Sequence, residues 1–349
     1  MQGGGRDVSW PIPIHPTSLP PTPSNTPAAA EPVDTPPPGR GAGLAVGPAV
    51  PALAVGQTVF IRSAAEIAAT LDADGKLEGL PFMPEMARHC GTSARIHRHV
   101  DKTCVEGQGM RRMASTVLLE GLRCDGSAHD GCQRNCLFFW KEAWLRPAEE
   151  PGTPESGPDP GAFPGGSLLD LPTRQGDRYC CQSTELLGAT RAMSRWSLGP
   201  FLREIRRGEL SVPGFMQILY RTSFDRFRVW LGLRKAGALA GLQGVNARGD
   251  LGLQSGDWVE VLSLAEIQAT LDPGGKNCGL SFEPAMSEYL GKRFQVERLV
   301  ERIILEQTGR MVGLAHTVTV KGVTCQGPCS KNCPRNNDLY WRECWLRRV

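Results

Sequence analysis

The chain contains one stretch of its sequence twice. Residues 56–106 align with residues 256–306 without a gap at a constant offset of 200, and 21 of the 51 positions are identical. Ala65-Glu66-Ile67, Ala69-Thr70-Leu71-Asp72, Gly75-Lys76, Gly79-Leu80, Phe82, Pro84, Met86 and Gly91 all recur 200 residues later. Self-similarity at a fixed period marks a duplicated structural unit, so whatever fold the first copy adopts the second must share. Each copy closes on a related Trp-rich segment, Trp140-Lys141-Glu142-Ala143-Trp144-Leu145 and Trp341-Arg342-Glu343-Cys344-Trp345-Leu346. The copies therefore run over 55–146 and 255–349, each large enough for one small core.

Outside the copies the composition changes. Of 28 prolines, thirteen fall between Pro11 and Pro51 and seven between Pro147 and Pro172. Residues 1–54, with Pro36-Pro37-Pro38, hold too little apolar surface to offset the entropy of ordering, which predicts a disordered Pro-rich tail. Residues 147–175 read as a Pro/Gly-rich linker. No apolar run approaches the roughly 18 residues of a membrane span. The first seven residues lack the basic start and apolar core of a secretory leader, so a cytoplasmic location is expected.

Within a copy, Thr58-Val59-Phe60-Ile61 and Trp258-Val259-Glu260-Val261 have strand composition, and Ala64 to Leu71 has that of a short helix. Ala94 to Val100 and Arg293 to Arg298 alternate apolar with polar, while Thr116 to Leu119 and Thr317 to Val320 supply a further strand. Short strands broken by turn signals predict a mainly β protein with a helical insert: two tandem small SH3-like barrel domains, each with a cysteine-rich loop. The insert is residues 176–245. Its apolar positions Val212, Phe215, Ile218, Leu219, Phe227, Trp230 and Leu231 predict a helical hairpin. Between Arg174 and Lys235 twelve Lys or Arg stand against five Asp or Glu. This basic amphipathic segment either packs on the barrels or offers a surface to a membrane or an acidic partner. A formal net charge of +3 gives no strong nucleic-acid signal, and a protein partner is expected.

The chemistry points to cysteine. The first copy has Cys104, then Cys124, Cys132 and Cys136 in a loop; the second has Cys325, Cys329 and Cys333 in the corresponding place. In a reducing compartment, thiols gathered in one short Gly-containing loop converge on a soft or borderline metal more readily than they form disulfides. At the fourth position Cys104 aligns with Ile304, and Ala143 aligns with Cys344. Each copy thus keeps four thiols, which predicts two metal sites: Cys104, Cys124, Cys132 and Cys136, and Cys325, Cys329, Cys333 and Cys344. The spacings C-x7-C-x3-C and C-x3-C-x3-C differ from the knuckles of zinc ribbons, so the cofactor is either zinc or a [4Fe-4S] cluster. His97, His99 and His129 have no His counterparts in the second copy, which makes the first the more chemically capable of the two. Cys180 and Cys181 read as a structural pair.

Gly79-Leu80-Pro81-Phe82-Met83-Pro84-Glu85-Met86, Cys124-Asp125-Gly126 with His129, Gly131-Cys132 and Cys136, the segment Trp140 to Leu145, and Cys181 to Leu186 together resemble a family of uncharacterised bacterial proteins. The resemblance spans about 55–349 and implies no particular activity. Nucleophile elbow, His-Glu-x-x-His and phosphate-binding motifs do not occur. Two functions remain: a metal-binding tandem-domain protein that serves as an interaction or accessory module, or an iron–sulfur redox protein or enzyme whose active cluster lies in the first copy.

Overall fold

The computed structural model describes residues 53–148, 162–163, 166–194, 197–230, 241, 249–325 and 332–349. The expected tail up to residue 52, most of the linker and the end of the helical segment lie outside these. In the first copy, strands β1 (Thr58–Ile61), β2 (Ser93–His99), β3 (Lys102–Val105), β4 (Gly109–Arg112), β5 (Thr116–Arg123), β6 (Leu137–Lys141) and β7 (Leu145–Pro147) follow one another. Five of them form one antiparallel sheet in the order β6-β5-β2-β1-β7, and β3 and β4 form a separate hairpin. Strand β8 (Arg191–Ala192) adds an edge to that hairpin. The second copy repeats the plan with β9 (Trp258–Val261), β10 (Arg293–Leu299), β11 (Arg302–Ile304), β12 (Met311–Gly313), β13 (Thr317–Val320), β14 (Trp341–Arg342) and β15 (Leu346–Arg348). Its sheet order is β14-β13-β10-β9-β15. Registers also match: Thr58 lies opposite Arg95 and Trp258 opposite Gln295, and both long strands bulge, between Ile96 and Arg98 and between Val296 and Arg298.

The identical residues explain the common plan. Ser63 and Glu66, and Ser263 and Glu266, form capping boxes that start the helices α1 (Ala64–Ala68) and α5 (Leu264–Ala269). Thr70 Oγ1 and Thr270 Oγ1 each accept a 2.9 Å hydrogen bond from a fully buried tryptophan, Trp144 and Trp345. Phe82 and Phe282 pack edge-on against those same rings at 5.3 and 5.4 Å. A buried indole with its N–H satisfied and its face covered locks the C-terminal segment of each copy over the sheet.

The insert has α2 (Gln182–Glu185), α3 (Gly199–Arg206) and α4 (Val212–Trp230), the last two joined by five residues and held by Phe201 against Phe215. Helix α3 and its C-cap dock on the first copy through charged side chains of both signs: buried Glu204 pairs with buried Lys102, and Arg203 and Arg207 both reach Asp101. No helix among the described residues is long and apolar enough to cross a membrane.

The copies meet through their cysteine-loop ends, and the contacts are reciprocal. Arg134 Nη1 donates to the Ile304 carbonyl at 3.0 Å, and Arg335 Nη1 donates to the Cys104 carbonyl at 2.9 Å. Glu106 N–H meets its own repeat equivalent, donating to Glu306 Oε1 at 2.8 Å. Contacts in which residue i of one unit meets j of the other, and j meets i, are those of a two-fold interface, realised here within one chain. Arg134 and Arg335 converge on Glu306 at 3.2 and 2.8 Å.

Candidate metal centre

The first cysteine loop folds back on itself at Gly126, whose φ is +71° and whose missing side chain leaves room for the Cys132 backbone. A Cβ at this position would overlap that backbone, so the glycine of Cys-Asp-Gly is a steric requirement of the loop. The loop closes with a 2.8 Å bond from Cys124 N–H to the Cys136 carbonyl. This geometry brings Cys124, Cys132 and Cys136 to one mostly apolar pocket, together with His129, Arg134, Met83, Phe138 and, from the second copy, Ile304. The fourth thiol there is Cys181, supplied by the N-terminus of α2.

Three separate sequence motifs hold this pocket. Gln182 Oε1 accepts from Phe139 N–H at 2.9 Å, and Nε2 donates to the carbonyls of Phe139 and Pro81 at 2.8 and 3.1 Å, which ties α2 to β6 and to Gly79–Met86. Buried His129 lies 2.7 Å from Glu85 Oε1 through Nδ1 and 3.0 Å from the Cys180 carbonyl through Nε2. Both neighbours are acceptors, so the ring is held as an imidazolium with a proton on each nitrogen. Burial alone would lower the His129 pKa, but the hydrogen bond and charge of Glu85 outweigh it and raise the value above the ordinary 6.5. His129 thereby clamps the segment carrying Cys181 to the carboxylate of Glu85. The other oxygen of that carboxylate, Oε2, is buried with no hydrogen-bond partner.

The thiols are costly to ionise as they stand. Burial pushes Cys124 above the ordinary thiol range, and Glu85, Cys136 and Cys181 add to the effect. Cys181 is pushed up to about 11, first by burial. Cys132 is also raised by burial, against backbone N–H groups of Ile304 and Arg134 that favour the thiolate. Mutually repelling thiolates in an apolar pocket are the condition a bound metal relieves, because it supplies the missing positive charge. The donor set therefore fits a thiophilic metal group.

The grouping differs from that expected from spacing. Cys104 does not line the pocket; it projects from β3 toward the second copy, where Cys333 and Cys325 are its cysteine neighbours. The thiol that lines the pocket beside Cys124, Cys132 and Cys136 is that of Cys181. Cys344 lies beside Thr270, Gly249 and Cys278, and Cys329 is outside the described residues. His97 is exposed near Asn336, and buried His99 binds Glu209 Oε1 at 2.6 Å, so of the three histidines only His129 reaches the pocket. Among the described cysteines no disulfide is formed. Sequence reasoning missed Glu85 and Cys181 as members of one site; the signals were the change from Glu85 to Ala285 inside a partly repeated motif, and the position of Cys181 in a segment without counterpart in the second copy.

Among the described residues, the group of His, Cys, Asp or Glu whose ligand atoms all fall within 4.8 Å of one another is Asp250, His316 and Glu343. The first two are exposed, and Glu343 Oε2 accepts a 2.6 Å bond from Leu251 N–H. Comparison with family models, curated proteins and solved structures finds no match to this chain.

Proposed function

We propose that the protein is a metal-centre protein built on two tandem SH3-like barrels, with an iron–sulfur cluster held in the first copy by Cys124, Cys132, Cys136 and Cys181. The observation that carries this reading is the convergence of four thiols, from a loop and from a helix 45 residues later, on one apolar pocket. The barrel reading is supported by the strand order, in which the last strand returns beside the first after a short 3-10 turn at Glu142–Trp144.

The choice of cluster over single zinc is supported by the sequence spacing: C-x7-C-x3-C with a distant further cysteine differs from the knuckles of zinc ribbons and suits a four-iron cluster. When bound, such a group supplies one-electron chemistry. The chain's own contribution is to exclude water with Phe138, Met83 and Ile304, to set Arg134 beside an anionic centre, and to hold the Cys181 segment through His129 and Gln182. These features favour an accessory or electron-carrying module.

Anaerobic purification tests the proposal. The expected result is brown protein containing iron and acid-labile sulfide, with both lost from the first site in C132S/C181S. Colourless protein carrying zinc alone, or iron unaffected by C132S/C181S, would overturn it.

A further inference from the structure

The reciprocal interface relates the two cysteine loops residue by residue. Cys124 corresponds to Cys325, since each donates its N–H to the far end of its loop, to the Cys136 and Asn337 carbonyls at 2.8 and 2.7 Å. Arg134 corresponds to Arg335 and Asn135 to Asn336, the last two with left-handed φ of 56° and 45°. Counting back, Cys132 corresponds to Cys333, and Cys136 corresponds to Asn337, which cannot serve as a thiolate. Among the described residues, the second loop therefore has no thiol at the place where the first has Cys136.

Across the interface, the first pocket is lined by Ile304, whose N–H lies 3.4 Å from Cys132 Sγ. The repeat equivalent of Ile304 is Cys104: Ile304 pairs with Met311 in its hairpin, and Cys104 with Met110. The interface geometry thus puts a thiol in the second loop's surroundings at the place where the first has an apolar side chain. Cys333 is buried, and Arg335, also buried, donates to the Cys104 carbonyl. Strand alternation places Lys102 on the same face as Cys104, and both groups act electrostatically on Cys333. Burial pushes the Cys104 thiol up to about 12, with Cys333, Glu306 and Cys325 adding to it against Arg335.

We infer that Cys104, contributed by the first copy, joins Cys325 and Cys333 of the second in another thiolate-bound iron–sulfur site that bridges the two copies. This inference extends the reading of the first pocket, and each site carries its own cation: Arg134 beside the first, Arg335 and Lys102 beside the second. An anionic centre in a buried interface requires such positive neighbours. The exchange of Cys104 for Ile304 then acts between copies, and the second site cannot form without the first copy present.

The test is iron and acid-labile sulfide per chain, measured on full-length protein expressed with ample iron and purified anaerobically. Wild type is expected to hold the iron of two clusters, and C104S and C132S/C181S, each of which leaves two of the named thiolates in its site, about half of it each. The C104S/C132S/C181S chain should hold none, while C278S, which removes an exposed thiol that lines neither site, should keep both. Iron unchanged in C104S would overturn the second site alone; iron unchanged in C132S/C181S would overturn the first. Loss of all iron from C104S, with the fold retained by circular dichroism, would overturn the claim of two separate sites. Should C104S fail to fold, alkylation of wild type decides: Cys104 is expected to be protected until chelation strips the iron, and equal labelling before and after would sink the inference.

Discussion

Gly126 sits where the chain has no room for a side chain, and its φ of +71° would strain any other residue. G126A should therefore lower the stability of the metal-free chain by roughly 2 kcal/mol or more in urea denaturation. Gly91 makes the control: its φ is +73°, but a Cβ there would meet nothing within 4 Å, so G91A should cost only the left-handed strain and fall short of G126A. Lys102 and Glu204 illustrate a different residue-scale effect. Both are fully buried, and Glu204 Oε2 also accepts from Asn332 Nδ2 at 3.1 Å. Removing one partner leaves the other charged without compensation, so E204A should cost about 3–5 kcal/mol. The double variant K102M/E204A should recover part of that loss; a double variant as unstable as the sum of its singles would show that the pair's charges are not what matters.

At the scale of the element, α2 spans barely one turn and has no helix stability of its own. It exists because its side chains are held from outside: Gln182 by β6 and by Pro81, and Glu185 by Lys76 Nζ at 3.0 Å and Arg178 Nη1 at 2.6 Å. Burial alone would raise Glu185, but those two cations outweigh it and set its pKa below 4.5. A depressed carboxylate contributes stability that is present above its unfolded value and is lost as pH falls through the folded one. The acid limb of the thermal stability of the metal-free chain, below about pH 4.5, should accordingly be shallower in E185Q than in wild type. An unchanged acid limb would remove Glu185 as a clasp. Because α2 carries Cys181, the same variant should also weaken metal retention in the first pocket.

For the whole molecule, the decisive contact is Glu306, which receives both Arg134 and Arg335 and the N–H of Glu106. Residues 52–349 cluster as one compact unit, in which neither loop is complete without the other copy. Calorimetry of the metal-free chain should show both copies melting in one transition. E306Q keeps the shape but removes the charge shared by two guanidinium groups, so it should lower that transition or split it in two. Two separate transitions in wild type, unmoved by E306Q, would mean that the copies are independent.

The duplication, the mainly β character, strand positions such as Thr58–Ile61 and Thr317–Val320, the α1 helix and the cysteine-rich loops were all legible in the sequence. They depend on local rules: alternation, capping and a repeat that shows itself by identity. Which thiols share a site was not legible. Spacing assigns Cys104 to its own copy, yet β3 carries it across to Cys333, and Cys181 enters the first pocket from an insert absent from the repeat. Glu85 and His129, 44 residues apart, also meet only through folding. Chain distance limits what local pattern can report; the sharing of Cys104, Cys181 and Glu85 is a property of the interface between copies and of the docked insert, where buried charge and hydrogen bonding, rather than sequence neighbourhood, decide which groups come together.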